Sequence, residues 1–323
     1  MTSDLGKVYT TGNSFRARAE ARQREYRANI LNTGVGTYGH FLDKAGTDSG
    51  KNFLLPGAFT AALDRQASGK GVAARTFENM VSSQAMCFNI FQPLGADPEL
   101  AVRVLSRFFP SLATVTKIEI EHTPDKDIFG DQSGKGGVDC DVLIEGADPD
   151  GNRLVIVVET KFVETEFSIC GFRKPGRAKE GKAVCPVDVP VSNDHHNCFY
   201  TSRKHYEYWS RTREHKTLNE NSLQESGCPF GGPLWQLWVN HALAHEEAAR
   251  RGATRAFFAV CASSANHKLL QHDVLEQFRD LLAAPESLVF MDLDALIEAI
   301  AANSSTTDKA KWAEGLQVRY GKI

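Results

Sequence analysis

The stretch VDCDVLIEGADPDGNRLVIVVETKF, residues 138–162, places a β-rich run on either side of the turn signal DPDGN. Asp, Pro and Gly clustered between two apolar runs mark a chain reversal, so the segment predicts an antiparallel hairpin. Asp139, Asp141, Glu159 and Lys161 lie within these runs, where bare charge is expensive to bury. Strand side chains alternate faces, so Glu159 and Lys161 project together while Thr160 points away, and Asp139 and Asp141 share a face. A turn centred near residues 149 and 150 sets 139 and 141 roughly opposite 161 and 159, and all four can converge.

Carboxylates held together repel one another, and desolvation adds to the cost. A divalent cation removes that conflict. Hard oxygen ligands suit Mg²⁺ or Mn²⁺, with waters and a substrate phosphate completing the shell. The ammonium of Lys161 would position an attacking water and stabilise charge on a phosphoryl oxygen. The bland alternative is a solvated hairpin face on which Lys161 pairs with Asp139 or Glu159. The run LVIVVETKF argues against it, because it reads as a central strand buried on both faces.

Working outward, the pattern predicts a helix over RTFENMVSSQAMCFNIFQPL, 75–94, ended by Pro93, and a second helix from the Asp97 cap and Pro98. The strand-like ATVTKIEIEH, 113–122, and the loop 125–137 lead into the hairpin. Beyond Lys161 regular periodicity lapses for about 70 residues, long enough to suggest function or a stabilising ligand. It returns with the helix PLWQLWVNHALAHEEAARR, the strand RAFFAVCAS, the helix HKLLQHDVLEQFRDLL, a strand near SLVFMDL and a helical C-terminus. Helices and strands in that order predict a mixed α/β architecture.

Asp139 followed by Glu159-Thr160-Lys161 at the end of the next strand resembles the signature of the PD-(D/E)XK nuclease superfamily, over roughly residues 70 to 265. The resemblance implies a restriction-endonuclease-like α-β-β-β-α-β core, with an N-terminal helical region, a Cys-containing insert and C-terminal helices around it. It implies a divalent-metal-dependent nuclease acting on DNA, in defence or repair. Asp139, Glu159 and the Thr160 carbonyl would hold the metal, with Asp141 the alternative ligand. Lys161 would serve catalysis, and Glu78 resembles the helix-borne acid that some members add. Gln236, beside Trp235 and Trp238, falls where some branches carry a helix-borne Gln near the site.

The domain organisation expected is a basic helix and loop region over 1–70, a nuclease-like core over 71–302 interrupted by an insert at 163–232, and a helical tail over 303–323. The early helix carries Arg16, Arg18, Arg22, Arg24 and Arg27 against Glu20 and Glu25, a solvated face or a phosphate-tracking one. The insert repeats that choice with Arg173, Lys174, Arg177, Lys179 and Lys182. It also holds Cys170, Cys185, Cys198 and Cys228, with His195 and His196 nearby. Four thiolates on Zn²⁺ would stabilise so loop-rich a stretch. Some superfamily members, RecB-like helicase-nucleases among them, hold a [4Fe–4S] cluster on four cysteines, one before the core and three after it. Here all four follow Lys161.

A net charge of −3 advertises no nucleic-acid partner by itself, although it says little about local patches. No apolar run long enough for a membrane span and no signal-peptide pattern is apparent, so a cytoplasmic protein without membrane contact is expected. Cutting two strands favours a homodimer or larger assembly. The competing functional classes are a non-catalytic nucleic-acid-binding or assembly module that keeps a structural metal, and a metal-dependent hydrolase of small phosphorylated substrates.

Overall fold

Asp148 closes the hairpin turn by accepting the backbone N–H groups of Asp150 and Asn152 at 3.0 and 2.9 Å, and Gly151 supplies the left-handed backbone at φ +81°. The computed structural model describes residues 4–69, 71–130, 138–186, 194–223 and 227–323. From residue 131 onward, the loop expected before the hairpin lies outside the described residues. Strands β1 (Thr114–His122), β2 (Cys140–Ala147), β3 (Arg153–Thr160), β4 (Arg255–Ala262) and β5 (Leu288–Asp292) form one sheet in chain order. The first three run antiparallel, with Ile144 opposite Ile156 across the hairpin, and β3, β4 and β5 run parallel.

Ahead of the sheet come α1 (Ser14–Tyr26), α2 (Lys44–Asp48), α3 (Pro56–Ala67), α4 (Arg75–Glu78), α5 (Ser83–Gly95) and α6 (Pro98–Leu105). Between β3 and β4 lie α7 (Phe199–Lys204), α8 (Tyr208–Glu214) and α9 (Leu234–Arg250). Helix α10 (Val274–Arg279) precedes β5, and α11 (Leu293–Ala302) and α12 (Thr307–Tyr320) follow it. The order α5-β1-β2-β3-α9-β4 is the restriction-endonuclease-like core, a mixed α/β architecture.

Strand alternation sorts the hairpin between two apolar layers. Val142, Ile144, Leu154, Ile156 and Val158 face a core completed by α5, α6, α11 and α12, while Leu143, Val155 and Val157 face a second core against α8 and α9. Each fully buried aliphatic contributes about 1.5–3 kcal/mol, so the continuous apolar run in β3 is what a strand covered on both faces requires. Among the described residues no helix is long and apolar enough to cross a membrane.

Several boundaries differ from the pattern. The helix expected over 75–94 is two helices, because Ser82 takes an extended conformation and caps α5 by accepting from Ala85 N–H. Pro93 lies inside α5 rather than ending it. Its missing N–H leaves the Asn89 carbonyl without an intrahelical donor, and Trp312 Nε1–H fills that place at 2.8 Å. The predicted helix over 267–282 contracts to α10, since His272 and Asp273 both adopt left-handed backbone. Residues 303–323 contribute Trp312, Ala313, Leu316 and Tyr320 from α12 to the first core.

The basic face of α1 is largely absorbed by the fold. Arg27 is 2% exposed and donates to the carbonyls of Gly39, Thr33 and Asp4; Arg24 donates to those of Leu5 and Gly6. Arg22 reaches the carbonyls of Gly321 and Lys322, tying the two ends of the chain together.

Candidate active site

The start of β2 and the end of β3 meet at one edge of the sheet, in a register that pairs Val142 with Val158. Asp141 Oδ2 accepts both the backbone N–H and the hydroxyl of Thr160, at 2.6 and 2.7 Å. Burial, then repulsion from Glu159 and Glu121, pushes the Asp141 carboxyl well above its ordinary range. Asp139, at the strand's entrance, is exposed.

Glu159 and Lys161 project together, as alternation requires, and form an ion pair of 2.8 Å between Oε1 and Nζ. They are 6% and 8% exposed. Helix α9 satisfies the rest of the carboxylate: Gln236 Nε2–H donates to Oε1 at 2.7 Å and Asn240 Nδ2–H to Oε2 at 2.8 Å. Gln236 and Asn240 are four residues apart, so one helical face presents both donors. Gln236 is itself oriented by Ser168 N–H, which donates to its Oε1 at 2.8 Å. Burial draws the Lys161 ammonium toward deprotonation, but Glu159, Glu164 and Asp141 outweigh it and hold its pKa above the ordinary value. Lys161 therefore acts as a cation and hydrogen-bond donor, with no role as a base.

A further acid belongs to this group. Glu121, near the end of β1, sits at φ +55°, is 5% exposed, and has Oε1 buried without a hydrogen-bond partner. Burial, with repulsion from Glu159 and Asp139, pushes its carboxyl up to about 7 against a hydrogen bond from Gln84. Cys140 registers the whole set: burial raises its thiol pKa, and Asp141, Glu159, Asp139 and Glu121 raise it further. Glu78 ends α4, where its backbone carbonyl accepts from Leu42 N–H at 2.9 Å, and no described contact joins its side chain to these acids. In KIEIEH the alternation of Ile and Glu gave Glu121 the look of a solvent-facing residue, and only the left-handed turn at that position redirects it.

No three of these four carboxylates bring oxygens within 4.8 Å of one another. Each is positioned by its own neighbours. The donor set nonetheless fits a hard divalent cation: several carboxylates, two with raised pKa, and one buried oxygen that lacks a partner. Asp141 opens onto a cleft of about 380 Å³ whose walls include Arg16, Arg75, Ser83, Gln84 and Glu164. Arg16, from the basic N-terminal helix, thus overlooks the acidic edge.

In the insert, Cys170, Cys185, Cys198 and Cys228 line one pocket with Phe172, Tyr200 and Trp235. Arg173 and Arg177 are engaged by the backbone carbonyls of Cys185 and Ala183, and Lys182 pairs with Glu180. Among the described residues the single group with three ligand atoms within 4.8 Å is Asp194, His195 and His196. Asp194 Oδ1 caps His196 N–H at 2.9 Å and meets its Nδ1 at 3.0 Å, while His195 Nδ1 meets Arg213 at 3.1 Å.

The sequence profile of the PD-(D/E)XK nuclease superfamily matches residues 10–181 and 194–322. No curated protein and no solved structure matches the chain. The profile takes in the hairpin, its acidic edge and the α9 donors together, and on that extent the chain belongs to the PD-(D/E)XK nuclease superfamily.

Proposed function

We propose that this protein is a divalent-metal-dependent nuclease that hydrolyses phosphodiester bonds in DNA, in host defence or repair. The observation that carries the reading is Glu159: one buried carboxylate held by Lys161, Gln236 and Asn240, beside Asp141 and Glu121 and below a cleft edged by arginine. Membership in a nuclease superfamily supports the reaction class and the nucleic-acid substrate. DNA and Mg²⁺ or Mn²⁺ follow from the family resemblance and from the hardness of the oxygen donors. Seven cysteines that form no disulfide with one another suit a reducing cytoplasm.

Asp141, Glu159 and the Thr160 carbonyl would hold the metal, with Asp139 at the rim and Glu121 beneath. A bound dication would supply Lewis-acid polarisation of the phosphoryl group and lower the pKa of water. Lys161, kept protonated, donates a hydrogen bond to the attacking water or to a non-bridging phosphoryl oxygen as charge builds there. Gln236 and Asn240 fix the Glu159 rotamer, so no reorganisation is required when substrate arrives. Arg16 and Arg75 meet backbone phosphates at the cleft mouth.

Plasmid cleavage tests the reading. Purified protein should nick or linearise DNA with Mg²⁺ or Mn²⁺ and stop on chelation. Lys161→Ala should lose about 10²-fold or more in rate, and Glu159→Ala should be inactive while retaining the native circular dichroism spectrum. Undiminished cleavage by Glu159→Ala overturns the assignment.

A further inference from the structure

Four cysteines, separated in sequence by 14, 12 and 29 residues, surround one pocket between β3 and α9. Cys170, Cys185 and Cys198 are buried, and Cys228 is half-buried. The sulfurs are mutual neighbours: Cys228 feels Cys198, Cys170 and Cys185, and Cys170 feels Cys198 and Cys185. The nearby walls are aromatic, with Trp235 stacked on Tyr200 at 5.6 Å between ring centroids.

Backbone amides are directed at the sulfurs. Phe172 and Arg173 N–H reach Cys170, Phe199 N–H reaches Cys185, and Phe230 N–H reaches Cys228. A neutral thiol is a weak acceptor and gains little from such donors, whereas a thiolate takes charge-assisted hydrogen bonds. Four thiolates in an apolar pocket require a cation among them.

Sulfur spacing selects the kind of centre. A single tetrahedral Zn²⁺ with Zn–S near 2.3 Å sets its sulfurs about 3.8 Å apart. No three of these sulfurs lie within 4.8 Å of one another. In a four-iron cube each thiolate binds its own iron at a separate corner, which spreads the sulfurs to about 6 Å. The quartet matches the larger centre.

We propose that Cys170, Cys185, Cys198 and Cys228 ligate a [4Fe–4S] cluster that fastens the 163–232 segment to the first turn of α9. The attachment is direct: Trp235 walls the pocket, the adjacent Gln236 holds Glu159, and Ser168, two residues before Cys170, orients Gln236. The cluster is assigned a positioning role, and its presence does not depend on the nuclease reading.

Full-length protein purified anaerobically should contain about four iron and about four acid-labile sulfide per chain, with broad thiolate-to-iron visible absorption that bleaches on reduction by dithionite. Cys198→Ala should lose iron, sulfide and colour together. Cys261→Ala, altered on β4 outside the pocket, should keep all three. Colourless wild-type protein after anaerobic reconstitution with ferrous iron and sulfide overturns the proposal, as does stoichiometric zinc without iron or a full cluster in Cys198→Ala.

Discussion

Asn240 donates its Nδ2–H to Glu159 Oε2 at 2.8 Å, one helical turn beyond Gln236, whose Nε2–H takes the other carboxylate oxygen at 2.7 Å. The two amides fix the rotamer of a carboxylate that sits beside Lys161. Groups that orient a metal ligand commonly change metal affinity or activity by about 10–100-fold when removed. Gln236→Ala and Asn240→Ala should each lower kcat/KM by about that factor, with the melting transition still cooperative. Asn240→Asp should be worse than Asn240→Ala, because it sets a second carboxylate against a buried one. Unchanged kcat/KM in both alanine variants would show that α9 does not position Glu159 for chemistry.

Glu121 gives a second prediction, with a binding readout. Its Oε1 is buried without a partner, and its carboxyl neighbours Glu159 and Asp139. Replacement by Gln removes the charge and keeps the shape. Mn²⁺ affinity measured by calorimetry should fall about 10–100-fold in Glu121→Gln. Glu78→Gln should leave that affinity unchanged, since no described contact brings its side chain to the acids. Reversal of the two results would return the accessory acid to the helix.

The hairpin was legible because its determinants are local: alternation fixes which side chains share a face, and DPDGN fixes where the chain turns. The same alternation placed Glu159 beside Lys161 and named Gln236 as a neighbour of the site. Glu121 was not legible, because a left-handed residue at the end of a strand breaks the alternation that would have located it. Asn240 could have been found, since it repeats Gln236 at i+4 on a helix already recognised. The meeting of the four cysteines depends on short turns and aromatic packing that leave no periodic trace, and their spacing contains no CxxC pair.

Acid should destabilise the fold through His40. It is 2% exposed, and burial, with repulsion from Arg16 and Arg24, lowers its pKa from 6.5 to about 4. Glu20 faces it from α1 with Oε2 at 3.9 Å, and its own carboxyl is raised by burial. Because the folded chain resists protonation at His40 more than the unfolded chain does, the stabilising contribution is complete above pH 6.5. It declines as pH falls toward 4 and is gone below that, a loss on the order of 3 kcal/mol. His245, lowered to about 4 by burial and His215, adds to the same window. Urea midpoints measured from pH 7.5 to 4.5 should fall steadily, and His40→Phe, which keeps an aromatic ring beside Tyr38 and Phe41, should reduce the slope. An unchanged slope in that variant would assign the acid sensitivity to other groups.

Asn89 joins α5 to α12 through both of its polar ends. Its carbonyl, left without an intrahelical donor by Pro93, takes Trp312 Nε1–H at 2.8 Å, and its side-chain amide donates to the Asn52 carbonyl and Tyr320 hydroxyl at 3.1 and 3.0 Å. Trp312→Phe keeps an aromatic in the core but strands the Asn89 carbonyl, at a cost of about 1–3 kcal/mol plus lost packing volume. Pro93→Ala supplies a backbone N–H four residues after Asn89, the donor the helix lacks. In the double variant Pro93→Ala/Trp312→Phe that N–H should satisfy the carbonyl, so the combined loss in urea unfolding free energy should be smaller than for Trp312→Phe alone. Equal or greater loss in the double variant would show that packing volume, and not the stranded carbonyl, sets the contribution of Trp312.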